Sequence, residues 1–211
     1  MQNNSFIEKN HSHNFVAVYI APLPTNAKLG EVFPRARFNE IQAVKNEKVQ
    51  REKYFVWKLL EYAVANHFDK PFNQIQFIKE STGKWSSDLC EFSLSHSENA
   101  LCVALSNAPV GVDIQKIRQT KIDLSKEILD ASEYAHYQTL APEERTVFLI
   151  NAWTKKESLF KQKNTKILTR EEFRNQTGPI FQTTVCLQDE TYALSVATNL
   201  PDKTTLSIVD L

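Results

Sequence analysis

Residues 109–115 read Pro109-Val110-Gly111-Val112-Asp113-Ile114-Gln115, and the fold is read outward from them. Successive side chains of an extended chain alternate between faces. Val110, Val112 and Ile114 therefore share one apolar face, while Gly111, Asp113 and Gln115 share the other. The strand this predicts is anchored by three aliphatic residues and projects a carboxylate from its opposite side.

Upstream, two β-like runs at residues 91–95 and 101–105 are separated by a polar turn at 96–99, which predicts a hairpin. Further back, FVAVYI at residues 15–20 reads as a buried strand closed by Pro22 and Pro24. Residues 39–66 read as one long helix, with Ile41, Val44, Lys48, Arg51, Phe55, Leu59 and Tyr62 near helical spacing. A short strand at 75–79 is followed by a polar turn at 81–84. Downstream, helices are predicted at 130–140 and 143–163, and TTVCLQ, YALSVA and TLSIVD are strand candidates in the tail. The order predicts an α+β protein of two similar α/β halves, residues 1–106 and 107–211. A faint echo joins them, since Trp57 and Glu61 repeat the spacing of Trp153 and Glu157.

Composition narrows the function classes. The 211 residues carry 25 Lys+Arg against 25 Asp+Glu, so no overall basic field invites nucleic acid or an anionic membrane. Only four glycines occur, and neither GxxxxGK[ST] nor GxGxxG is present, so any phosphate must be held largely by side chains. Cys90, Cys102 and Cys186 form no CxxC pair and leave one over in any disulfide scheme. With no apolar segment behind the polar start and no uninterrupted run of spanning length, the expectation is a cytoplasmic protein. His11 and His13 lack a third ligand nearby and read as solvated.

Chemistry concentrates in AWTKKESLFK, residues 152–161. On a helix Glu157 and Lys161 share a face, with Trp153 one turn earlier on the same stripe. Taken alone, this is a surface ion pair beside a core Trp. Asp113 and Ser95-His96 change its meaning. Asp113 and Glu157 supply two carboxylates for a hard cation such as Mg²⁺, Gln115 offers an amide oxygen, and substrate phosphates with water can complete an octahedron. Lys161 and His96 would offset the remaining phosphate charge. A Ser-His hydrolase pair is excluded for Ser95 and His96, because neighbours on a strand face opposite ways. Asp130 and Glu133 form a capping box, which accounts for Glu133 without catalysis. Lys156 points about 100° away from Glu157 around the helix, so it either contacts the reaction site or is solvated, and solvation is the favoured reading.

Together FSLSHS (92–97), GVDIQ (111–115) and AWTKKESLFK (152–161) resemble the signatures of 4′-phosphopantetheinyl transferases of the surfactin-synthetase-activating type. Gly83-Lys84 extends the resemblance, which covers roughly residues 30–170. It implies two similar α/β halves with the active site in the cleft between them, and a monomer. It also implies Mg²⁺-dependent transfer of the phosphopantetheine arm of coenzyme A to a serine of an apo acyl, peptidyl or polyketide carrier protein. Asp113 and Glu157 would hold Mg²⁺, Lys161, His96 and Ser95 would meet the phosphates, and Glu157 would accept the serine proton. Lys84 and Arg51 would serve the nucleotide end, with Arg35, Arg37, Lys45 and Lys48 as rivals to Arg51. Gln115 departs from the glutamate common at its position and carries less weight as a ligand. Residues 120–126 and 161–166 are candidate cationic contacts for an acidic carrier. The rival readings are a Mg²⁺-dependent phosphodiesterase or nuclease, and a non-catalytic interaction domain.

Overall fold

A computed structural model describes residues 14–119, 122–165 and 169–211. His11, His13, Thr120, Lys121 and Lys166 lie outside the described residues.

In chain order the elements are β1 (Val16–Pro22), α1 (Arg35–Gln42), α2 (Glu47–His67), β2 (Phe77–Lys79), β3 (Trp85–Ser87), β4 (Glu91–Ser97), β5 (Ala100–Ser106) and β6 (Val110–Lys116). They continue with α3 (Ser125–Ile128), α4 (Ala131–Thr139), α5 (Pro142–Lys163), α6 (Arg170–Arg174), β7 (Ile180–Leu187), β8 (Glu190–Thr198) and β9 (Thr204–Ile208). Strands β4, β5, β1 and β9 form one sheet in that order, and β6, β8 and β7 form another. Strands β2 and β3 make a separate small hairpin.

The two sheets repeat one plan. In the first, β1 pairs antiparallel with β5 and β5 with β4; in the second, β6 pairs antiparallel with β8 and β8 with β7. Helix α2 follows β1 as α5 follows β6. Trp57 and Trp153 occupy equivalent places in the two helices, each ten residues before the helix's last residue. The α+β expectation of two similar α/β halves is met in this element order. Strand β9 departs from it, because the tail returns to pair in parallel with β1 of the first sheet.

Alternation along β1 and β5 builds two cores. Ala17, Tyr19, Leu101, Val103 and Leu105 face α2, where they pack against Trp57, Leu59, Leu60, Ala63 and Val64. Val16, Val18, Ile20, Cys102 and Ala104 face the second sheet and meet Val110, Val112, Ile114, Leu194 and Val196. The apolar face assigned to β6 is thus buried between the sheets, and its Gly111, Asp113 and Gln115 side turns toward α5. A Cβ on Gly111 would stand 2.0 Å from the carbonyl oxygen of Ser158 and 2.4 Å from the amide nitrogen of Gln162. Only glycine admits the α5 backbone this close to the strand.

Four local expectations are corrected. The single helix over 39–66 is two, because Asn46 caps α2 by accepting the Val49 amide at 3.1 Å and the chain breaks after Gln42. His96 and Ser97 belong to strand β4 rather than to a turn; the reversal falls at Glu98, which has φ of 53°. Strand β3 was not foreseen, since its Trp-Ser-Ser sequence is too short for a periodic signal. Lys156 is buried, not solvated: it is 1% exposed, and its ammonium donates to the Ile128 carbonyl at 2.6 Å and to Glu133. The Asp130–Glu133 capping box forms as read, and Glu133 also serves Lys156.

Among the described residues no helix is long and apolar enough to cross a membrane. The three cysteines are free.

Candidate active site

The seam between the sheets is built by three serines spaced two apart on β4. Ser93, Ser95 and Ser97 accept the amide N–H groups of Val112, Ile114 and Lys116 at 3.0, 3.3 and 3.2 Å. Period-two spacing puts all three hydroxyls on the side that faces β6. A hydroxyl that accepts one hydrogen bond still has a proton to give. Ser95 donates its proton to Asp113 Oδ1 at 2.8 Å, and Ser97 donates to Gln115 Oε1 at 3.1 Å.

Lys161 closes the site from α5. Its ammonium lies 2.7 Å from Asp113 Oδ1, 3.0 Å from Ser95 Oγ and 3.0 Å from the Val112 carbonyl oxygen. Asp113 is 2% exposed, so its charge is held by an ammonium and a hydroxyl rather than by bulk water. Gln115 Nε2 donates to the other oxygen, Oδ2, at 3.2 Å. Glu157, one helical turn before Lys161, has its pKa raised, first by burial and then by the nearby Asp113 charge. Lys161 and a hydrogen bond with Trp153 oppose that rise.

His96 faces away from Ser95, toward α2, as strand alternation requires. Its Nδ1 lies 3.3 Å from the buried carboxylate of Glu52. Burial pushes the imidazole down to about 4, with the positive charges of Lys161, Lys53 and Arg37 adding to the fall. The same positive field favours a bound anion. Beside Lys161 a cavity of about 290 Å³ is lined by Arg37, Thr82, Lys84, Trp85, Ser93 and Phe160, among others. Lys84 reaches it from the turn at Gly83, whose φ of 92° suits glycine, and its amine is pushed down by burial.

Arg51 is not among the residues lining that cavity. Its guanidinium holds the main-chain carbonyls of Ala27, Pro24 and Thr25, the first at 2.9 Å. Arg37, open as a rival at the sequence level, lines the cavity instead. It is 5% exposed, and its Nε has no hydrogen-bond partner among the described residues. Glu52 was missed; its only sequence signal is a charge at the buried edge of an otherwise polar helical turn.

Two carboxylates whose charges act against each other suit a hard divalent cation that keeps its remaining positions for water and phosphate oxygens. Among the described residues no group of three or more His, Cys, Asp and Glu is gathered for a metal.

Of this cleft, Asp113, Glu157 and Lys161 lie in the part of the chain that a family model matches. Residues 109–202 match the family described as the 4′-phosphopantetheinyl transferase superfamily. The chain is 34% identical over 71 residues to a 4′-phosphopantetheinyl transferase of Bacillus subtilis, covering 34% of this chain and 32% of that one. It is 34% identical over 92 residues to 4′-phosphopantetheinyl transferase gsp of Aneurinibacillus migulanus, 43% of this chain and 39% of the relative. With 4′-phosphopantetheinyl transferase Sfp of Bacillus subtilis (strain 168) it shares 26% over 107 residues, 49% and 48% of the two chains. The chain thus spans less than half the length of these curated relatives; the resemblance to 4′-phosphopantetheinyl transferases is borne out, and of its three motifs GVDIQ and AWTKKESLFK lie within the matched residues 109–202.

Proposed function

We propose that this protein is an enzyme that transfers the 4′-phosphopantetheine moiety of coenzyme A to a serine of an apo acyl, peptidyl or polyketide carrier protein, releasing adenosine 3′,5′-bisphosphate. The reading rests on one observation above all: Ser95, Asp113 and Lys161 meet within hydrogen-bond distance at the seam, with Glu157 beside them. In the reaction the acceptor serine oxygen bonds to the phosphorus carrying the pantetheine arm. The bond from that phosphorus to the bridging oxygen of the nucleotide breaks, and the hydroxyl proton must leave.

Glu157 takes that proton. Burial and the Asp113 charge raise its affinity for a proton, which brings it nearer the strength a general base needs around neutral pH. Lys161 places a positive charge where the pyrophosphate oxygens gather negative charge. Mg²⁺ held by Asp113 and Glu157 would supply further polarisation of those oxygens when bound. Lys84 and Arg37, which line the cavity beside Lys161, serve the phosphates and the nucleotide end, whereas His96 is outside that lining, stands against Glu52 and is neutral at pH 7, so it adds no positive charge for the phosphates. Arg51 keeps its part in holding the chain before α1. One chain suffices as a monomer, since both sides of the cleft come from the same molecule. Lys126 and Lys163 are the exposed described lysines of the two stretches assigned to the carrier.

Intact-mass spectrometry of apo carriers incubated with the protein, coenzyme A and Mg²⁺ tests the proposal. The carrier is expected to gain one phosphopantetheine, and Asp113→Ala or Glu157→Ala to lose nearly all of that gain. Cleavage of DNA or RNA with no gain on any carrier would replace the proposal by a phosphodiesterase, and full activity in both variants would remove these acids from the chemistry.

A further inference from the structure

Gln115 has the directionality of its amide written into its neighbours. An ionised carboxylate only accepts, so the amide nitrogen must be the group that faces Asp113 Oδ2, at 3.2 Å. The carbonyl oxygen then faces Ser97, whose hydroxyl proton is free to go to it because Ser97 Oγ already accepts the Lys116 amide. The result is a one-way chain: Lys116 N–H to Ser97 Oγ, Ser97 O–H to Gln115 Oε1, Gln115 N–H to Asp113 Oδ2. A parallel chain runs from the Ile114 N–H through Ser95 to Asp113 Oδ1. The two chains hold the carboxylate from both oxygens, leaving Lys161 and Glu157 on the remaining side.

We infer that Gln115 is a positioning residue rather than a metal ligand: Ser97 turns its amide so that the nitrogen donates to Asp113 and fixes the plane of that carboxylate. This rests on the proposed transfer function and deepens it. The fifth position of the GVDIQ stretch, Gln115, supplies a neutral donor to Asp113, and the site works with two carboxylates. Removing such a supporting hydrogen bond typically costs about 10–100-fold in activity or metal affinity.

A double-mutant cycle tests it, with kcat, the Mn²⁺ dissociation constant, and the side-chain amide signals of Gln115 in NMR spectra of the metal-free protein as readouts. Ser97→Ala and Gln115→Leu are each expected to lower kcat by about tenfold. The pair should be no worse than Gln115→Leu alone, and Ser97→Thr should restore the rate by returning the hydroxyl. In the metal-free protein Ser97→Ala should shift the Gln115 amide signals toward those of a solvated glutamine. The inference is overturned if Ser97→Ala leaves kcat and those signals unchanged, if the two losses multiply, or if Ser97→Ala tightens Mn²⁺, as freeing a ligand oxygen would. Asp113→Asn is the separate control. Should it remain fully active, Asp113 has no part in the chemistry and Gln115 has nothing to position; the transfer function itself fails only if the unmodified protein adds no phosphopantetheine to any carrier, whatever Ser97 does.

Discussion

Lys156 carries its ammonium into a place that is 1% exposed, where it holds the Ile128 carbonyl and the Glu133 carboxylate, while its own carbonyl accepts from Gln176 at 3.1 Å. It ties α5 to α3 and α4. Glu133 keeps 23% of its side chain exposed, so removing Lys156 leaves a carboxylate that water partly compensates, at a cost of about 1–3 kcal/mol. Lys156→Ala is accordingly expected to lower stability by about that amount in chemical denaturation, and adding Glu133→Gln should recover part of it. Recovery of nothing would mean that the lysine acts through packing of its stem alone. At His96 the effect is one of pH. Its folded-state pKa is about 4 against an ordinary value of 6.5, so between those values the unfolded chain binds a proton that the native chain refuses. Stability associated with this residue is complete above about pH 6.5 and is lost as pH falls toward 4. Among the charges facing the imidazole, Lys161, Lys53 and Arg37 deepen the fall and Asp113 opposes it. Denaturation midpoints at pH 7 and pH 5 should draw together in His96→Gln; an unchanged gap would locate the acid sensitivity elsewhere.

Helix α5 shows why an element can be read correctly and its packing missed. Its position was evident from sequence, yet the face it buries includes Thr154, Lys156 and Ser158 as well as Leu149, Ile150 and Leu159. Thr154 and Ser195 meet by their hydroxyls at 3.0 Å between α5 and β8. Small polar residues that satisfy one another replace an apolar stripe there, so hydrophobic periodicity had no signal of that contact to find. The same close approach makes Gly111 critical. Gly111→Ala would drive a methyl into the α5 backbone, and overpacking of this kind costs about 1–3 kcal/mol. Because the displaced turn carries Glu157 and Lys161, the variant should lose transfer activity beyond what its fall in thermal midpoint explains. Retention of full activity would show that α5 moves without disturbing the site. The break between α1 and α2 was missed for another reason. Asn46 is a cap signal, but the apolar spacing runs on across it, and the break falls between the C-cap Ala43 of α1 and the N-cap Asn46 of α2.

Across the molecule the halves depend on each other. Strand β9 extends the first sheet from the end of the second half, and Val209 donates to the Ile20 carbonyl at 2.8 Å just beyond it. Removing residues 204–211 uncovers the β1 edge and is expected to lower the thermal midpoint of the whole protein in one cooperative transition. Two separate transitions would show that the halves fold independently. The sequence by itself determined the alternation that makes β6 and the serine strand, the two tryptophan-bearing helices, and the motif residues Ser95, Asp113, Glu157 and Lys161, because each follows from short-range periodicity or from a local pattern of residue types. Tertiary structure alone decided which cation lines the cavity, where the amide of Gln115 points, that Lys156 is buried and that Glu52 stands against His96. Those outcomes depend on residues that lie from 18 positions apart, for Ser97 and Gln115, to 77 apart, for Lys84 and Lys161, and no local pattern encodes a contact made by the packing of elements distant in the chain.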